Sequence, residues 1–128
     1  MPEPVIVKLP RPHKYLMPNR RPRNRYALNR VVQESKNMAR LVCEQAMREV
    51  HCPGWQSARY DVHEYTPTAT RQDKDNLVAS LKAYLDGCVL AGLVPDDRYL
   101  EPGRIEQSIS TRVSDQLRLQ ITFYVIEE

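Results

Sequence analysis

A chain of 128 residues and 14.9 kDa has room for a single domain, and its 41% apolar share closes one modest core. A charged share of 27%, a mean hydropathy of −0.59 and the lack of any run near the roughly 20 apolar residues of a membrane-crossing helix exclude such a span. Cys43, Cys52 and Cys88 are odd in number and lack CxxC spacing, which argues against a disulfide framework and a structural zinc site. The opening MPEPVIVKLP lacks the basic-then-apolar layout of a secretory leader, so the expected compartment is the cytoplasm.

Residues 4–9 (PVIVKL) are short, apolar and β-branched, and predict a strand. Residues 10–25 then hold four prolines and six basic side chains, Arg11, Lys14, Arg20, Arg21, Arg23 and Arg25. Proline removes amide donors and blocks helix, so this stretch predicts a basic loop or arm and no packed element. The first 40 residues carry ten basic and two acidic side chains, a local charge of +8, while the other 88 carry nine and fourteen, or −5. A basic front beside an acidic back suits a polyanion next to a carboxylate cluster, although a solvated charge run has the same composition.

Helical period starts near Leu28 and runs through Val32, Ala39, Val42, Ala46 and Val50, with Arg30, Glu34, Arg40, Glu44 and Arg48 opposite. Cys52-Pro53-Gly54 ends it. Ala58–Tyr65 alternates as a half-exposed strand, Tyr60, Val62 and Glu64 on one face. TPTATRQDKD reads as a loop or strand end. A second helix runs from Leu77 to Leu90 and closes at Gly92, Val94–Asp97 is a turn, and strands over 104–112 and 117–126 finish the chain. This order implies a two-layer α+β domain spanning 1–128, with two main helices on one face of a small mixed sheet of about four strands.

Asp73, Asp75, Asp96 and Asp97 form the chemical focus. In an extended segment, Asp73 and Asp75 point the same way, and like charges so placed call for a cation between them. Oxygen donors without His or Cys suit Mg²⁺. Asp75-Asn76 also fits a helix N-cap, Asp96-Asp97 fits a turn, and Lys82 with Asp86 fits a surface i,i+4 pair. His13, His51 and His63 are scattered, and His63 on a strand reads as structural. Cys88 and Trp55 read as packing residues.

The stretch RQDKDNLVASLKAYLDGCVLAGLVPDDRYLE resembles the RusA family of Holliday junction resolvases and their phage-borne relatives. These carry an Asp-x-Asp-Asn pair, a helix with Lys and Asp, and an Asp-Asp doublet. The N-terminal strand, the Asn19-Arg20-Arg21 segment, the first helix and the final strands extend the likeness over most of the chain. The resemblance implies a RusA-like fold and a Mg²⁺-dependent homodimer, with Mn²⁺ as a substitute, that nicks four-way DNA junctions symmetrically in the cytoplasm of a bacterium or phage-infected host. It matches Asp73, Asp75 and Asp97 to the metal-binding acids, Asp96 to their partner in the doublet and Lys82 to the helix lysine. In this chain Lys82 and the doublet stand about one helical turn farther on. The expected DNA-binding side chains are Lys14, Arg20, Arg21, Arg23, Arg25 and Arg30, acting on phosphates. The expected dimer donors are the first helix and the 117–125 strand. The alternatives are a less selective flap or fork nuclease and a non-catalytic basic DNA-binding module.

Overall fold

The structure, a computed structural model, describes residues 2–68 and 74–127. Strand β1 (Val5–Leu9) turns Val5, Val7 and Leu9 inward and Ile6 and Lys8 outward, as its period-2 pattern requires. With β2 (Ala58–Thr66), β3 (Leu100–Ile109) and β4 (Leu119–Val125) it builds a mixed sheet in the order β1-β4-β2-β3. β4 runs antiparallel to both β1 and β2, whereas β2 and β3 are parallel. Leu119, Ile121 and Phe123 on this central strand are fully buried.

The last two strands therefore flank β2 instead of pairing with each other. The parallel β2–β3 step needs a long crossover, which the second helical segment supplies. β4, with Leu119, Ile121, Thr122 and Phe123 buried, then takes an inner position beside β2. β3 starts at Leu100, four residues before the expected Arg104, because an edge strand tolerates Pro102. A register shift lies opposite, between Tyr60 and Val62. There Arg104 N–H donates to Asp61 Oδ1 at 2.9 Å, and a Cβ on Gly103 would overlap that same oxygen.

Helix α1 (Arg25–Glu49) begins three residues before the apolar period because Asn24 caps it, accepting from Tyr26 N–H at 2.9 Å. Its buried stripe is Ser35, Ala39, Cys43, Ala46 and Met47, rotated from the expected Val42 and Val50, which are half-buried. The expected Leu77–Leu90 helix is two helices, α2 (Lys74–Ser80) and α3 (Lys82–Leu90). Ser80 Oγ donates to the Leu77 carbonyl at 2.7 Å, taking the acceptor that a continuous helix would give to Leu81 N–H. Leu81 N–H turns to Val78 O instead, at 3.2 Å, and the chain jogs before Lys82.

The helices cover one face of the sheet, and the domain has the expected two layers. α1 and α3 meet closely at Gly87, where an added Cβ would collide with the Lys36 carbonyl and lie 2.8 Å from Ala39 Cβ. Cys43 and Cys88 are buried and all three cysteines are free, while Trp55 packs against the core. Hydrogen bonding with Cys43, then burial, holds the Cys88 thiol well above its usual pKa. Among the described residues, no helix is long and apolar enough to cross a membrane.

Residues 10–25 are more ordered than a free arm. Short 3-10 turns form at Lys14–Leu16 and Pro18–Arg20, and Pro12 and Leu16 are buried. His13 caps the first turn, its Nδ1 accepting from Tyr15 N–H at 3.0 Å. Pro10 O accepts from the Tyr84 hydroxyl at 2.9 Å, and burial pushes that phenol up to about 12. The segment is a strap fastened to the domain at its first half, with its arginines exposed in its second.

Candidate functional site

Asp73 lies outside the described residues. Asp75 is exposed in the first turn of α2, so it occupies neither an extended strand end nor the N-cap position. An acid there is favoured by the positive end of the helix. Asp96 and Asp97 follow α3 in a turn, as the sequence implies. Asp96 caps the short 3-10 turn Asp97–Tyr99 by accepting from Arg98 N–H at 3.1 Å. That bond first, and a side-chain hydrogen bond with Asp97 second, hold the Asp96 carboxyl below its usual pKa.

Lys82, the first residue of α3, draws this region together. Its Nζ lies 3.5 Å from Asp86 Oδ1 and 3.7 Å from Asp97 Oδ2. The first contact is the i,i+4 pair expected of the helix; the second joins the helix to the doublet. Lys36 of α1, Asp86, Asp96 and Asp97 line one open cleft of about 280 Å³. Lys36 gave no signal in the sequence beyond its charge, because its neighbours are some fifty residues away along the chain. Among the described residues, no three His, Cys, Asp or Glu side chains are gathered closely enough to hold a metal ion.

The expected basic groups are at the surface. Arg20, Arg21, Arg23 and Arg25 are exposed along the strap and the start of α1. Lys14 stands 5.7 Å from the Tyr15 ring centroid. Arg30 pairs with Glu34 at 3.0 Å, in an exposed i,i+4 contact that leaves its other guanidinium donors available. Arg21 and Lys82 line the same pocket, so the basic strap reaches the lysine that contacts Asp97.

One buried acidic side chain has partners that the sequence reading did not reveal. Glu64 shares a face of β2 with Tyr60 and Val62, as the alternation predicts, and that face is the buried one, yet nothing in the sequence marks its partners. It is fully buried, with Arg11 Nε at 3.2 Å and Gln107 Nε2 donating at 3.0 Å. His63 on the opposite face is tied to Ser108 Oγ at 2.7 Å and stacked on Tyr65 at 4.4 Å between ring centroids, in keeping with a structural role. Comparison with protein-family models and with curated proteins found no match to this chain.

Proposed function

We propose that this protein is a Mg²⁺-dependent, structure-selective endodeoxyribonuclease acting on four-way DNA junctions. The observation that supports this reading most is the position of Lys82, within 4 Å of both Asp97 and Asp86 and sharing a pocket with Arg21 of the strap. Acids suited to a hard cation and cations suited to phosphate thus meet around one side chain. Asp73, Asp75 and Asp97, with Asp96 beside them, would hold the ion, and an all-oxygen donor set fits Mg²⁺, with Mn²⁺ as a substitute. Bound there, the metal supplies charge neutralisation at the scissile phosphate and a more acidic water.

The chain's own groups do the rest. Lys82 exchanges its contact with Asp97 for a phosphate oxygen and opposes the charge that develops on it. Its side chain is 74% exposed, so little holds it in the resting pair. Arg20, Arg21, Arg23, Arg25, Arg30 and Lys14 bind flanking phosphates and set the position of the duplex arms without reading bases. The reading includes a homodimer in the cytoplasm of a bacterium or phage-infected host, because paired nicks need two sites. Light scattering should give a mass near twice 14.9 kDa. β4 is an unsuitable edge for that contact, since it is already paired on both sides, with β1 and with β2, whereas Ile6 and Leu41 are exposed beside one groove on β1 and α1.

A second reading draws on the capping role of Asp96 and the Lys82–Asp97 pair, which give both acids structural work in a non-catalytic basic DNA-binding module. A Mg²⁺ titration with four-way, Y-shaped and linear DNA separates the readings. Paired nicks confined to the four-way junction support the resolvase, and equal cleavage of Y-shaped DNA supports a flap or fork nuclease. Binding without cleavage at any Mg²⁺ concentration leaves the module.

A further inference from the structure

A partly enclosed pocket of about 300 Å³ lies between the first half of α1, the strap and the α2–α3 pair. Leu16, Leu28, Val32 and Ala83 give it an apolar lining, and Arg21, Lys36 and Lys82 bring three cations to it against the single acid Asp86. Lys36 is half-buried, and its ammonium has no ion-pair or hydrogen-bond partner among the described residues. The same lysine lines the neighbouring cleft of Asp96 and Asp97. The close α1–α3 contact at Gly87, which touches the Lys36 backbone, sets its position.

We propose that this pocket takes one unpaired nucleotide of branched DNA, the base against the apolar lining and the phosphate on Lys36. The proposal rests on the nuclease reading and deepens it by naming what makes the site selective for structure. Three cations and one acid call for an anion, and the lining calls for an apolar body; a nucleotide combines the two. The volume is at the lower end for small-ligand sites, which suits a single base with its sugar and excludes a base pair. Ser80 also lines the pocket, but its hydroxyl is committed to the Leu77 carbonyl, so it offers no donor for reading a base edge. Drawing a nucleotide out of an intact duplex carries an unstacking and unpairing cost, least where pairing is already broken. The pocket thus favours the branch point over the arms, and Lys82, shared by pocket and acids, puts the captured nucleotide next to the proposed chemistry.

The test places 2-aminopurine at the branch point of a four-way junction and follows its fluorescence on binding without divalent metal. A gel shift on the same DNA reports total binding. Wild type should change the fluorescence. Ala79→Leu, which fills the pocket from an exposed position, should abolish the change while junction binding persists. Lys36→Met should weaken capture roughly tenfold, as expected for the loss of one charge-assisted contact. Both variants should keep the thermal unfolding of wild type. Junction binding with no fluorescence change, or an unaltered change in Ala79→Leu, overturns the pocket and leaves the nuclease reading standing. If branched DNA does not bind, the nuclease reading fails, and NMR with a deoxynucleoside monophosphate decides the pocket alone. Shifts at Val32 and Ala83 that vanish in Ala79→Leu support it, and their absence overturns it.

Discussion

The carboxylate of Glu64, fully buried on the helix-facing side of β2, receives Arg11 Nε at 3.2 Å across 53 residues of sequence. The contact fixes the start of the basic strap to the sheet. A buried charge that loses its partner is left with its desolvation uncompensated. Arg11→Met should therefore destabilise the domain by about 2–3 kcal/mol, less than for a fully enclosed pair because the arginine side chain is 34% exposed. Adding Glu64→Gln should recover part of the loss. Urea unfolding checks both, and a loss under about 0.5 kcal/mol in the single variant contradicts the role given to the pair.

Asp75→Asn and Asp97→Asn should each reduce junction cleavage by about a hundredfold or more, in the range seen when one electrostatic group is removed from a reacting centre. Both acids are exposed, so stability should stay within about 0.5 kcal/mol of wild type. Metal-free junction binding should persist, as negative charge facing phosphate is lost. Single-turnover cleavage beside a gel shift measures both, and near-normal cleavage in either variant removes that acid from the site.

Replacing Arg20, Arg21, Arg23 and Arg25 together by Gln should weaken binding to every DNA sequence alike. Each lost phosphate contact lowers the slope of log K against log salt by about 0.9, so the combined change is up to about four units. An unchanged slope takes the strap out of the interface. The fold should be unaffected, because the anchoring contacts lie at Pro10, Arg11, Pro12 and Leu16.

Gly87→Ala should destabilise the domain by about 2 kcal/mol, since the new methyl meets the Lys36 carbonyl and Ala39 across the helix crossing. The effect differs from a propensity change, which would favour alanine inside a helix. Thermal unfolding gives the sign directly, and a stabilised variant would show that α1 and α3 can separate without penalty.

The α+β layers, the long first helix and every strand were legible because period-2 and period-3.6 patterns are local. The order of strands was not, since adjacency of β2 and β4 depends on which strand is most deeply buried. The jog before Lys82 comes from one hydroxyl, Ser80, competing for one carbonyl, and serine in a helix carries no such message by itself. At the site, Lys82 with Asp86 followed from spacing, while Lys82 with Asp97 and the approach of Lys36 required the chain to fold back. Glu64 is the sharpest case. Its face could be read from alternation, but not that Arg11 would reach it from a segment whose prolines and charges suggested a free arm.

The two margins of the sheet are unequal. β3 is interrupted by Pro102 and faces a register shift in β2, while β1 presents five residues without proline or bulge. Backbone addition is therefore open on one side and hindered on the other. A copy joined β1 to β1 about a two-fold axis uses up both open margins at once, and the enlarged sheet then ends in β3 at either side. Growth of this kind would stop at two chains. In the proposed dimer the same asymmetry would leave only the hindered β3 margins exposed, which disfavours further strand-by-strand addition.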